Sequence, residues 1–566
     1  MAERDLPEDD ANPPPHLSNS VPRREFLKAS AAAAGATLLA SCLSSNDSET
    51  EIAASEDPVS RFDHMVVVMF ENRSLDNLLG YLYPAGQGFN GLSGKTLTNP
   101  VPPFINDGHA FVTARPSPGT DADMQNPSPD PGEPYPRINT QLFGIVNPTT
   151  NQFESATEMQ PPYNAPPAGT TPTMQGFVQD YCNTFVQTQG RNPTFDEYRV
   201  IMDTFTSAQL PVLSTLAQSF AVYDAWFCAV PSQTICNRSF FHASSSSGFV
   251  INVPYKKWLE TNFAPTIFNR LQDAGRKWCV YYDPTQLVPF TALIHAPVLF
   301  PYWRTNFGTM DDFYSDVATG NLPDYAFIEP RMAFNHNDFH PPGPLFIDKV
   351  PIPGPSDVRA ADLLLHQIYS AIRTSASVQG SNATNTMLLV TFDEHGGCYD
   401  HVAPPSATPP ENPQPEGEMG FFFDRLGVRI PTIAISAYTA ANTIVNRPVH
   451  HAALIRTLSR KYGLAPLTER DRGAPDLSDA INLTTARSPS TWPVTVPRPV
   501  PPSALNTDPT SAALAPIPLN ELERHIVGLA MAQFTGVEPT EASIPTTIGE
   551  AYALLKPLTA GAFGRT

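Results

Sequence analysis

The sequence predicts an α/β fold built on a mostly parallel, covered central sheet, and three observations predict it. Two runs, Met65-Val66-Val67-Val68-Met69-Phe70 and Met387-Leu388-Leu389-Val390-Thr391-Phe392, are almost continuously apolar, as strands buried on both faces are. Strand-like and helix-like patterns alternate along the chain, which is the order that βαβ units impose. Charged residues make up only 16% of the chain and proline numbers 62, so ordered coil and long insertions must fill much of its length.

From the N-terminus, Pro22-Arg23-Arg24-Glu25-Phe26-Leu27-Lys28 precedes an apolar stretch, Ala29 to Ala40, too short to span a membrane comfortably. The segment resembles a twin-arginine export signal. Leu39-Ala40-Ser41-Cys42 resembles a bacterial lipobox, which makes Cys42 a candidate acylated residue and membrane tether. The expected first partner is therefore the twin-arginine export machinery, and the expected location is periplasmic or extracellular, with or without a lipid anchor. Residues 1–42 are read as signal and 43–60, rich in Ser, Glu and Asp, as a flexible tether.

The fold is expected to begin near Arg61. Residues 84–172 are dense in Pro, Gly, Asn and Thr and read as a long ordered insertion. Helical spacing recurs at Ala208 to Phe220, Ile267 to Ala274, Ala360 to Thr374 and His451 to Tyr462. Strand-like runs lie between, at Trp278 to Tyr282, Tyr325 to Ile328 and Ile430 to Ile435. A cut anywhere between Glu71 and Glu394 would divide the residues that form one site, so 61–487 is read as a single domain. Residues 488–566 are expected to form a Pro-rich arm with a terminal helix at Leu519 to Phe534. Beyond Cys42 the five cysteines lack metal-ligand spacing; they suit buried thiols or a single bridge.

A formal charge of −20 and a pI near 5.0 exclude nucleic acid as the main partner, because phosphate backbones attract basic surfaces. An anionic substrate would need a local metal or an Arg cluster to hold it.

The two buried-strand runs end alike. The first passes into Glu71-Asn72-Arg73-Ser74-Leu75-Asp76, the second into Asp393-Glu394-His395-Gly396-Gly397-Cys398-Tyr399-Asp400-His401. Either ending alone would be ordinary strand-end chemistry. Together they bring Glu71, Asn72, Asp393 and Glu394 to the carboxyl edge of one sheet, where ligands of open α/β sheets bind. Four hard oxygen donors suit a divalent cation, and oxygen ligands leave Ca, Mg, Mn and Zn all open. Between them lies Ser232-Gln233-Thr234-Ile235-Cys236-Asn237-Arg238. If a helix opens there, Thr234 sits at its start, where free N–H groups favour an anion, although an N-cap role would explain a Thr equally well.

These three motifs, in this order, resemble the bacterial phosphoesterase family of phosphatidylcholine-type phospholipase C and related acid phosphatases. Phe423-Asp424-Arg425-Leu426-Gly427-Val428-Arg429-Ile430-Pro431 and Leu467-Thr468-Glu469-Arg470-Asp471 extend the resemblance to about Asp476. It implies an alkaline-phosphatase-like three-layer α/β/α sandwich. It also implies that Glu71, Asn72, Asp393 and Glu394 bind the metal, that Thr234 is the nucleophile of a phospho-enzyme intermediate, and that His340 is the proton-transferring His. Asn237 and Arg238 are the chosen phosphate contacts. The implied substrate is a phosphate ester, either a phosphodiester such as a phospholipid headgroup or a phosphomonoester. A lipid-anchored binding protein without catalysis is the third reading, opposed by the intact Thr234 and ligand set. The chain departs from the family at Cys236, where Pro is common; at Leu75, where Phe is; at Glu133, where some relatives carry His; and at Ala452 and Ala453, which replace hydroxyl residues. His336, His395 and His401 read as structural partners of acids, and His450 and His451 as helix-start packing.

Overall fold

In the computed structural model, residues 57–565 are described apart from 147, 348, 349, 354 and 355. The expected signal and most of the expected tether lie outside the described residues. Residues 57–60 form a single 3-10 turn, Pro58–Ser60, capped by Asp57.

The first apolar run becomes strand β1, His64–Phe70, in which every residue from Met65 onward is buried. Seven further strands join it: β2, Ala221–Tyr223; β3, Trp278–Tyr282; β4, Phe307–Thr309; β5, Tyr325–Glu329; β6, Thr386–Phe392; β7, Thr432–Ile435; and β8, Thr443–Val445. Their spatial order is β8-β2-β7-β6-β1-β5-β3-β4. Only β7 runs against its neighbours, β6 and β2; every other pairing is parallel. Successive side chains of a strand point to opposite faces, and all of β6 is buried, so the centre of the sheet is covered on both sides. The predicted covered, mostly parallel sheet is therefore observed.

The helices that matter here are α1, Leu75–Leu79; α2, Pro211–Ser219; α3, Thr234–Ala243; α4, Val358–Thr374; α5, Ala452–Tyr462; and α6, Glu521–Thr535. Helix α2 packs on α4 and α3 on α5. The sequence pattern placed the start of α2 at Ala208, but Pro211 occupies its first turn, where a missing N–H is no loss. Likewise β7 begins at Thr432 and not Ile430, since Pro431 cannot donate to a ladder.

The Pro-rich insertion brings a small core of its own. Leu92, Ile138, Leu142, Phe177, Tyr181 and Tyr198 pack together, apart from the main cluster. At the other end of the chain Trp492 and the α6 residues Leu522, Ile526 and Leu529 are buried in the main core. Among the described residues Cys182, Cys228, Cys236, Cys279 and Cys398 are all free and buried, and no helix is long and apolar enough to cross a membrane.

Candidate active site

Parallel pairing in register, Phe70 beside Phe392, makes the residues that follow both strands emerge together. The Glu71 N–H donates to the Asp338 carbonyl at 2.8 Å, and the Asn72 N–H to Asp393 Oδ1 at 3.0 Å. Asn72 takes a left-handed conformation, φ 59°, which turns the chain sharply at the strand end. Gly396 allows this. A Cβ there would lie 2.3 Å from the Asn72 carbonyl oxygen, and its own φ is +59°. Gly397 plays the same part toward a second segment, since its Cβ would meet Pro131 at 2.7 Å and the Gly132 carbonyl at 2.8 Å.

Thr234 is the first residue of α3, and its buried hydroxyl donates to Glu71 Oε2 at 3.1 Å, with Asn72 Oδ1 at 3.4 Å. One turn along the same helix, Arg238 also meets Glu71: Nε donates to Oε1 at 2.7 Å, Nη2 pairs with the same oxygen, and Nη2 reaches the Met69 carbonyl at 3.2 Å. Asn237 and Arg238, the expected phosphate contacts, both lie on α3 with most of their polar atoms already hydrogen-bonded within the protein. Arg238 is spent on orienting Glu71, with only Nη1 left unpartnered. Asn237 is spent on the loop before the helix: Nδ2 donates to the carbonyls of Val230, Ser232 and Gln233, and Oδ1 accepts from the Val230 N–H.

The remaining donors are buried carboxylates with oxygens free. Asp393 Oδ2 and Glu394 Oε1 are buried and meet no hydrogen-bond donor, while Glu394 Oε2 accepts the Gly396 N–H at 2.7 Å. Burial pushes the Glu71, Asp393 and Glu394 carboxyls above the usual carboxylate range; Arg238 opposes this at Glu71 and Asp393, and Asp393 reinforces it at Glu394. Three buried acids against one guanidinium leave negative charge that a divalent ion would neutralise.

His340 is also buried. Nδ1 donates to the Pro341 carbonyl at 2.7 Å, and Nε2 faces Glu133 Oε1 at 3.6 Å and Asp130 Oδ2 at 3.7 Å. Glu133 in turn accepts from Asn72 Nδ2, which joins this group to the first. Among the described residues no hydrogen bond links His340 to Thr234. Sequence reasoning noted Glu133 only as a departure and missed Asp130; the Asp130-Pro131-Gly132 turn beside it was the available signal.

His451 also does more than packing. It accepts from Trp226 Nε1 at 3.5 Å and donates from Nε2 to the Asp393 carbonyl at 2.6 Å, fixing the backbone of a candidate ligand. His395 Nε2 donates to Gln141 at 2.8 Å. His401 pairs with Asp76, itself held by Arg429 together with Asp400, so that cluster is closed on itself.

A cleft of about 390 Å³ reaches Asp130 and Gln233, the residue before Thr234. A larger one, about 1120 Å³, is lined by Tyr135, Pro161, Phe421, Phe422 and Arg425 and holds none of the candidate ligands.

A sheet edge that brings buried carboxylates near a hydroxyl at a helix start has the residue types that phosphate-ester hydrolysis uses. The comparisons narrow this class. The chain belongs to the Phosphoesterase family, whose profile matches residues 62–465. It is 29% identical over 522 residues to non-specific phospholipase C6 of Arabidopsis thaliana, covering 88% of this chain and 86% of that protein. Non-specific phospholipase C3 of the same plant is 30% identical over 454 residues, 76% of this chain and 75% of that one. Phospholipase C B of Mycobacterium tuberculosis is 24% identical over 522 residues, 84% and 88%. Among solved structures, a protein in the alkaline phosphatase superfamily from Vibrio parahaemolyticus aligns at 12% identity over 58% of this chain and 83% of that chain, with a TM-score of 0.30.

Proposed function

We propose that the protein is a metal-dependent, phospholipase C-like phosphoesterase in which Thr234 is the nucleophile. The observation that carries this reading is the Thr234 hydroxyl, buried 3.1 Å from Glu71 Oε2 beside two carboxylate oxygens that lack donors. Glu71, Asn72, Asp393 and Glu394 would hold the cation. When bound, such an ion lowers the pKa of a coordinated hydroxyl and offsets charge on phosphoryl oxygens. Thr234 Oγ1 attacks phosphorus, the ester P–O bond breaks, and the alcohol leaves with a proton; water then cleaves the Thr234 phosphoester. Arg238 favours the charged form of Glu71 against its burial and aims it, and His451 keeps the Asp393 backbone in place.

The printed names of the relatives favour a phospholipid diester. Turnover of p-nitrophenylphosphorylcholine and of p-nitrophenyl phosphate, with Thr234→Ala as control, tests the reading. Diester turnover abolished in the variant, with a phosphorylcholine ester of threonine trapped at residue 234 by acid quench and mass spectrometry, is the expected result. Activity on the monoester alone would mark a phosphatase instead, and full activity of Thr234→Ala would remove the nucleophile. We also propose export through the Arg23-Arg24 signal with Cys42 as lipid anchor; a mature N-terminus that is unacylated and lies beyond Cys42 would overturn the anchor.

A further inference from the structure

Beside the site just described, three further buried side chains converge. Asp130 is 5% exposed, Glu133 4% and His340 1%, and one ligand atom from each lies within 4.8 Å of the other two. Neither Asp130 oxygen meets a donor, and His340 Nε2 meets none either. The tautomer explains why. Nδ1 carries the proton it gives to the Pro341 carbonyl, so Nε2 presents a lone pair to two carboxylates. Three acceptors facing one another are repulsive unless a cation or a proton lies among them.

The geometry selects between large and small cations. An ion with ligands at about 2.0–2.4 Å separates neighbouring ligand atoms by roughly 3–4 Å. The observed separations from Nε2, 3.6 and 3.7 Å, fall in that range, whereas a quaternary ammonium would need a far wider ring. The donor types differ from those next door. Glu71, Asn72, Asp393 and Glu394 offer oxygen only, but this group offers one imidazole nitrogen with two carboxylates, the mixture preferred by borderline ions. The backbone carbonyl on Nδ1 is the outer partner that orients metal-bound His in general. The Asn72 amide on Glu133 couples the two groups directly.

We propose that Asp130, Glu133 and His340 hold a second divalent cation, of the borderline class that Zn²⁺ and Mn²⁺ represent, next to the all-oxygen site. It rests on the metal-dependent reading of that site but is tested separately. His340 is then a ligand and not the proton donor, and the enzyme is binuclear.

The test is metal stoichiometry of the full purified chain. Protein is stripped with chelator, reloaded with Zn²⁺ or Mn²⁺, desalted and measured by inductively coupled plasma mass spectrometry, with circular dichroism confirming the fold. Two equivalents are expected for the wild type, one for Asp130→Asn/Glu133→Gln and one for Asp393→Asn. In a Co²⁺-loaded sample the visible absorption of a nitrogen-ligated ion should persist in Asp393→Asn and vanish in His340→Ala. One equivalent in the wild type, kept by Asp130→Asn/Glu133→Gln and lost in Asp393→Asn, overturns the second site, leaves the first standing and assigns a shared proton to the cluster. No bound metal in any sample overturns both. Where a variant misfolds, a zinc-edge anomalous map of wild-type crystals decides: a peak bounded by these three side chains supports the proposal, and its absence refutes it.

Discussion

Replacing Gly396 by Ala puts a methyl group where Asn72 already is. The new Cβ would stand 2.3 Å from the Asn72 carbonyl oxygen and 2.6 Å from its Cβ, whereas an ordinary contact begins at 3.4 Å, so the Gly396 and Asn72 segments must part by roughly 1 Å. Two effects follow, and Gly463→Ala separates them. Gly463 caps α5 at φ +66° with nothing within 4 Å, so its substitution carries only the left-handed strain, roughly 1–2 kcal/mol. Gly396→Ala adds the steric displacement, about 1–3 kcal/mol more. An unfolding entropy of about 2.1 cal/mol/K per residue makes ~1 kcal/mol equal to roughly 1 °C in a chain of this size, so the expected loss in Tm is about 1–2 °C at Gly463 and about 2–5 °C at Gly396. Activity should divide far more sharply. A 1 Å misplacement of catalytic groups lowers rate by roughly 10²-fold, and only Gly396→Ala displaces a candidate ligand. Scanning fluorimetry and kcat on p-nitrophenylphosphorylcholine measure both. If Gly396→Ala keeps kcat within twofold of Gly463→Ala, Asn72 is not a group whose position the reaction needs.

Arg238→Met leaves the Glu71 carboxylate buried beside no guanidinium and should lower unfolding free energy by about 3–5 kcal/mol in urea titrations; adding Glu71→Gln should recover part of that without recovering activity, and a double variant less stable than the single would contradict the pairing. Chelation should abolish turnover and lower Tm, since a site filled at a hundredfold excess over Kd stabilises by about 2.7 kcal/mol; an unchanged Tm and rate after verified metal removal would rule out the cation. Burial pushes the Asp180 carboxyl up to about 7, with Arg137 and Gln141 only partly opposing it. The folded state therefore keeps a proton that the unfolded chain releases near pH ~3.9, and this group's contribution is fully present below that pH and lost as pH rises toward 7. Asp180→Asn should accordingly flatten the decline of stability between pH 4 and 7, and parallel curves for the two proteins would refute the assignment.

How much of this was legible depended on the distance over which the information acts. The runs Met65 to Phe70 and Met387 to Phe392 name β1 and β6 almost to the residue, because a strand buried on both faces leaves no polar position to confuse the pattern. The Glu71 and Asp393 pairs were legible for the same reason, as they mark where those runs stop. Asn237 and Arg238 could be located but not assigned, since each has several hydrogen-bonding atoms and the fold decides whether a carbonyl, a carboxylate or a ligand receives them. The roles of Asp130 and His451 were not legible. A turn marks the first and a helix start the second, but each acquires its role only from a partner brought up by tertiary folding, His340 for Asp130 and the Asp393 carbonyl for His451.

The place of β1 in the sheet bears on how the protein is made. Among the described residues it is the first strand to leave the ribosome, yet it pairs with β5 and β6, and the Asn72 to Asp393 contact closes a loop of 321 residues. At a synthesis rate of about 5–20 residues per second, that strand waits roughly 15–65 s for its second neighbour, apolar on both faces throughout. Growth from the ribosome cannot therefore complete the candidate site stepwise; it arises late, when the central strands meet. A chain stalled before β6 carries Thr234, the proposed nucleophile, without Asp393 and Glu394, two of the four proposed ligands, and exposes an apolar β1 with one neighbour missing.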